Sequence, residues 1–104
     1  MSVLQGVLKE EIERLEKVIV HYNVMLQSLP RGSIFKRKIG NSFYVYRKRR
    51  ENGVVVSEYL GKEDEENAKR QIELSKEYHR VKKNLRDSVI ELSKLKRAYM
   101  VYEN

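Results

Sequence analysis

The chain has 104 residues, 22 Lys and Arg against 15 Asp and Glu, a formal net charge of +7, and no cysteine. That length leaves room for a single domain, 1–104. The missing cysteine excludes a disulfide framework and any thiolate metal site, and fits a reducing, cytoplasmic setting.

Residues 2–29 place Leu8, Ile12, Leu15, Ile19, Tyr22, Leu26 and Leu29 at alternating spacings of four and three. That is a heptad seam. Pro30 and Gly32 end it, because proline cannot continue a helix. The pattern predicts a helix over 2–29. Its start, MSVLQGVLKEEIERLE, lacks a basic leader region and reads as amphipathic helix. No run approaches about 18 apolar residues, so no membrane-spanning helix is expected.

Residues 33–60 have a different composition. IFKRKI, SFYVYRKRR and VVVSEYL are separated by Gly40-Asn41 and Glu51-Asn52-Gly53. Short β-rich runs between Gly/Asn turns predict a three-stranded antiparallel meander. Two-residue turns would set Arg37 opposite Tyr44, Phe35 opposite Tyr46, Tyr46 opposite Tyr59, and Lys48 opposite Ser57. One face then carries Phe35, Arg37, Tyr44, Tyr46, Lys48, Arg50 and Tyr59. The other carries Ile34, Lys36, Lys38, Phe43, Val45, Arg47, Arg49, Val56 and Leu60, with Glu58 opposite Arg47. The second is the more aliphatic, and is expected to pack on the following helix. A three-residue turn at Glu51-Asn52-Gly53 would instead shift the third strand. The tyrosines have a second reading, as a cross-strand cluster of Phe35, Tyr46 and Tyr59 inside a core.

Residues 63–103 repeat the seam at Leu74, Tyr78, Val81, Leu85, Ser88, Leu92, Leu95, Tyr99 and Tyr102. Glu63 to Glu66 are placed in the first turn, where the helix dipole favours acids. This helix exceeds the first by about 12 residues, so its early turns should lie along the sheet, about one strand in length. Ala68 and Ile72 are the expected contacts. From about Leu74 it should pair antiparallel with the first helix. The fold class is therefore α+β: a long antiparallel, coiled-coil-like helical hairpin with an inserted three-stranded β-meander. The seam is assigned to Ile12, Leu15, Ile19, Tyr22, Leu26, Tyr78, Leu85, Leu92, Leu95 and Tyr99. Apolar flanks at Val18, Val20, Val24, Met25, Ile72, Val89 and Ile90 widen the stripe, which points to a homodimer or tetramer through the helices.

Charge is unevenly distributed. Residues 1–30 carry 3 cations and 4 anions, residues 63–104 carry 10 and 9, and residues 31–62 carry 9 and 2. The whole excess belongs to the sheet segment. Cations interleaved with aromatic residues on strands suit nucleic acid, the cations neutralising phosphates and the rings stacking on bases. The expected contacts are Lys36, Arg37, Lys38, Tyr44, Arg47, Lys48, Arg49, Arg50 and Tyr59. The alternative is a structural or adaptor coiled-coil protein whose basic sheet docks an acidic protein partner. A membrane-surface role ranks low, because the cations lie on strands and not along one face of an amphipathic helix.

Nothing points to catalysis, a metal or a cofactor. His21 and His79 have no second histidine at ligand spacing. Glu73 and Glu77 have Lys69, Lys76 and Arg80 close by and read as surface ion pairs. There is no phosphate-cradling glycine pattern and no nucleophile elbow. The segment 28–62, opened by Leu29-Pro30-Arg31-Gly32-Ser33 and closed by Ser57-Glu58-Tyr59-Leu60-Gly61-Lys62, resembles a hairpin of small prokaryotic coiled-coil proteins. It is distantly similar to hairpins in transposases and recombinases of mobile elements. That resemblance implies association with nucleic acid, DNA ahead of RNA, and marks Arg47, Lys48, Arg49 and Tyr59. It implies no catalysis, since neither an acid triad nor a recombinase nucleophile can be placed.

Overall fold

Ser2 opens the first helix by accepting a hydrogen bond on its hydroxyl from the Gln5 N–H at 3.1 Å, which satisfies one of the free donors of a helix N-terminus. Helix α1 then runs Val3–Ser28 in the computed structural model, which describes residues 2–103. Three strands follow, β1 Ser33–Ile39, β2 Ser42–Glu51 and β3 Val54–Lys62, paired antiparallel in the order β1-β2-β3. Helix α2 spans Glu66–Glu103. The fold is α+β, a helical hairpin with a three-stranded meander inserted.

The two-residue turns set the register. Arg37 pairs with Tyr44 and Phe35 with Tyr46. Tyr46 pairs with Tyr59, Arg47 with Glu58, and Lys48 with Ser57. Asn52 (φ 51°) and Gly53 (φ 80°) both adopt positive φ, which is what a type I′ turn demands and what matches the right-handed twist of its strands. The three-residue alternative is not taken.

Beyond the Tyr46–Tyr59 pair the register shifts. Val45 faces Gly61 and Tyr44 faces Lys62, so Leu60 is the extra residue of a β-bulge. Strand β3 consequently runs to Lys62, two residues past the expected end of the meander. The Glu63 N–H donates to the Phe43 carbonyl at 3.0 Å and extends the ladder by one bond. This corrects the placement of the acidic run: Glu66 alone of the four lies in the first turn of α2. The Asn67 side-chain amide donates to the Leu60 carbonyl at 2.8 Å, which ties the start of α2 to the bulge.

The chain divides into two compact units. Leu29–His79 form one, and α1 with α2 from Arg80 onward forms the other. In the sheet unit, Val45, Leu60 and Ala68 are buried, with Ile34 and Ile72 packed against them. Ala68 and Ile72 are thus the contacts expected of the early turns of α2. Phe43 shares the parity of Val45 but stays 43 % exposed. It pairs with Lys38 at the far end of β2, outside this core. In the hairpin unit, Leu15 and Val81 are buried. Ile12, Ile19, Tyr22, Leu26, Leu85, Leu92, Leu95 and Tyr99 are half-buried, as a seam requires. Tyr78 is also half-buried but falls in the sheet unit, because the division comes at Arg80 and not at Leu74.

Gly61 is buried at φ 130°, a backbone region that is essentially restricted to glycine. A Cβ there would also lie 2.7 Å from a Glu65 carboxylate oxygen. Gly61→Ala is expected to cost about 1–3 kcal/mol, read as a lower urea midpoint at unchanged m-value. Gly40→Ala has open space around the new methyl and should cost about 1–2 kcal/mol.

Candidate functional site

Alternation along β2 sorts the cationic run Arg47 to Arg50 between the two faces of the sheet, and the faces treat their charges differently. On the face turned to α2, each arginine has a partner. Arg47 is only 5 % exposed. Its Nη2 donates to Gln71 Oε1 at 2.5 Å, and its Nη1 lies 3.7 Å from a Glu58 carboxylate oxygen. Its Nε has no hydrogen-bond partner among the described residues. Arg49 donates to Glu51 at 2.8 Å and to Glu58 at 3.0 Å. The hydrogen bond to Glu51, reinforced by that carboxylate's charge, raises the Arg49 pKa above the ordinary guanidinium value. Lys36 donates to Glu63 at 3.1 Å. Lys38, exposed, holds its ammonium 5.8 Å from the centre of the Phe43 ring.

The outer face is built otherwise. Its middle row is aromatic: Phe35 stacks on Tyr46 at 5.2 Å between ring centres and 12° between planes, and Tyr46 meets Tyr59 at 5.4 Å and 54°. Tyr44 lies 6.3 Å from Tyr59. Tyr44, Tyr46 and Phe35 are half-buried by one another and by neighbouring side chains, whereas Tyr59 remains 54 % exposed. The cross-strand cluster and the exposed surface are therefore the same group of rings.

Cations bracket that row. On one side Arg37 sits 5.7 Å from the Tyr46 ring centre, and Lys62 sits 5.9 Å from that of Tyr44. On the other side lie Lys48 and Arg50, both exposed. None of these four has a carboxylate partner among the described residues, and the outward positions of the three strands carry no acid. The phenol of Tyr59 titrates above the usual tyrosine value, because partial desolvation disfavours its anion and the Glu65 carboxylate opposes it. The ring therefore stays neutral at physiological pH and adds no negative charge to the face.

Of the expected contacts, Arg37, Tyr44, Lys48, Arg50 and Tyr59 are brought together on the outer surface. Lys36, Lys38, Arg47 and Arg49 lie on the other face. Arg47 in particular is no exposed contact: the parity that buries Val45 also turns its guanidinium toward α2, where Gln71 and Glu58 receive it. Lys62 is the residue that sequence reasoning missed. An unbroken register would place Gly61 opposite Tyr44, and the bulge at Leu60 brings Lys62 there instead. The one local signal was a glycine inside a strand run, which often marks a bulge.

Residues 4–70 match DUF6788, a domain of unknown function. The chain belongs to the DUF6788 family. The match takes in α1 except Val3, the whole sheet and the first residues of α2. Comparison with curated proteins and with solved structures gave no match. Among the described residues, no cluster of His, Cys, Asp or Glu is disposed to hold a metal ion, and no helix is long and apolar enough to cross a membrane.

The Arg47–Gln71 contact is structural, which separates it from the outer cations. Gln71→Leu removes a hydrogen bond to a buried charge and is expected to cost about 1.5–3 kcal/mol. Chemical denaturation should report that loss, while the salt response of any binding at the outer face stays that of the parent.

Proposed function

We propose that this DUF6788 protein is a non-catalytic nucleic-acid-binding protein that works through the outer face of its sheet. The observation that carries the reading is the sorting of charge. Arg47, Arg49 and Lys36 have carboxylate partners on the inner face, while Arg37, Lys48, Arg50 and Lys62 on the outer face have none among the described residues. Four unneutralised cations on one surface favour a polyanion, and phosphate backbones supply the matching charge. Exposed tyrosine among them suits bases and sugars better than it suits an acidic peptide. The resemblance to hairpins of mobile-element proteins places DNA ahead of RNA, and a cysteine-free chain fits the cytoplasm.

Replacing Arg37, Lys48, Arg50 and Lys62 together by Gln is the direct test. Each neutralised phosphate contributes about 0.9 to the slope of log K against log salt on duplex DNA and about 0.7 on a single strand. Loss of four contacts should flatten the slope by about 3–4 units. Arg49→Gln should leave the slope unchanged. Equal affinity and slope in the quadruple variant and the parent would sink the reading. Tight, salt-dependent binding to an acidic peptide with none to nucleic acid would favour the adaptor alternative.

The hairpin unit motivates the second part of the proposal, association of two or more copies through the helices. Each of its helices buries one residue fully, Leu15 or Val81. Beside the seam, Val20 and Val24 on α1 are 63 % and 59 % exposed, and Val89 and Ile90 on α2 are 48 % and 49 % exposed. A second copy presents the same apolar flanks and would cover them. Sedimentation at micromolar concentration should give a dimer or tetramer, and Val24→Glu with Ile90→Glu should shift it toward monomer. A folded parent monomer under those conditions would contradict the association.

A further inference from the structure

The aromatic row on the outer face has a property that phosphate binding alone does not require. Phe35 lies flat against Tyr46, and the Arg37 guanidinium also attends that ring. Lys62 attends the ring of Tyr44. Tyr59 meets Tyr44 and Tyr46 only at tilted angles, 42° and 54°. It is the most exposed of the three tyrosines on this face, at 54 %. Its ring is propped by its neighbours and retains open surface toward solvent.

From this we infer that the outer face takes single-stranded nucleic acid, with an unpaired base stacked on Tyr59 and the flanking phosphates on the cations at either side. The inference rests on the nucleic-acid reading above and narrows its ligand. The arrangement follows strand geometry. Tyr59 stands in the row of Tyr46. One row along β2, about 7 Å away, lies Lys48, and Arg50 is one row further. In the opposite direction, also about 7 Å along the strands, lie Arg37 and Lys62, paired with Tyr44. Cation, ring and cation thus succeed one another along the sheet, as phosphate, base and phosphate do along an extended strand.

A duplex cannot use this ring in the same way. Its bases are stacked on each other and present only edges in the grooves. A patch that read charge alone would also prefer the duplex, whose charge density is higher and whose salt slope per contact is steeper. Stacking on an aromatic side chain is sequence-tolerant, because every base has a π face. The expected ligand is therefore an unpaired stretch of no strict sequence.

The test compares a fluorescein-labelled mixed-sequence 20-mer with its own duplex at matched salt, using the full chain. The parent is expected to bind the single strand more tightly. Tyr59→Ala and Tyr59→Leu should weaken single-strand binding by about 5- to 100-fold and duplex binding by much less. Tyr59→Phe, which keeps the ring, should behave as the parent. Leucine keeps a strand-compatible apolar side chain, so agreement between Ala and Leu excludes loss of fold as the cause, with far-UV circular dichroism as a check. The chain has no tryptophan, so Tyr59→Trp creates a single reporter whose fluorescence should be quenched by the single strand and not by the duplex. Equal or tighter duplex binding, with Tyr59→Ala weakening both ligands alike or neither, overturns the inference while nucleic-acid binding survives. Absence of binding to either oligonucleotide removes both.

Discussion

Burial of Val45 and Leu60 against Ala68 is the contact on which the sheet depends. Covering a valine and a leucine contributes about 1.5–3 kcal/mol each, and this small core contains little else. Because successive strand residues point to opposite faces, that one contact also decides the orientation of every cation on β2. Arg47 and Arg49 must follow Val45 inward, and Lys48 and Arg50 must go outward with Tyr44 and Tyr46. Turning an arginine toward a helix is costly unless its donors are met. Gln71 and Glu58 are what make it tolerable here. A sheet with this much positive charge can therefore pack on a helix because Lys36, Arg47 and Arg49 on its inner face are partnered within the same unit.

The bulge completes the division. Leu60 as the extra residue lets β3 bury that side chain and still carry Lys62 across from Tyr44 on the outer surface. Gly61 allows the backbone to make this adjustment, and Asn67 accommodates the carbonyl of Leu60 from the first turn of α2. One local irregularity thus serves two surfaces. It closes the core on the inside and brings a fourth cation to the ring row on the outside.

Much of this arrangement was legible in the sequence because two physical signals were strong. The Gly-Asn turn specifies a hairpin length, and hairpin length specifies pairing, so the partners of Phe35 and Arg37 followed directly, while those of Tyr46 and Lys48 on β3 followed only for the two-residue form of the Asn52-Gly53 turn. The heptad spacing located the seam for the same reason, since a period near 3.5 leaves few alternatives. What escaped was the register beyond Tyr46. A bulge depends on how Leu60 packs beneath α2, a tertiary preference that the glycine at 61 hints at but does not specify. Ion pairing escaped too. Parity already divided the run Arg47 to Arg50 between the two faces, but charge totals counted all four as contacts, whereas only partners such as Glu58, Glu63 and Gln71 separate structural cations from available ones. The acidic run was misplaced on similar grounds: Glu63 had a ladder bond to make with Phe43 before any helix began.

The near-neutral charge of residues 63–104 conceals a gradient that bears on the same surface. Residues 63–79 carry six acids and three cations, and residues 80–104 carry three acids and seven cations. The acidic part belongs to the sheet unit, where Glu63 already engages Lys36. Glu63 offsets an inward lysine, and Glu65 acts on the Tyr59 phenol without pairing, among the described residues, with any of the outward cations. The net charge of +7 is therefore a poor guide to what this protein would attract. What matters is where the partners fall: the carboxylates of Glu51, Glu58 and Glu63 engage inward cations, while the cations around the tyrosines have no carboxylate partner among the described residues.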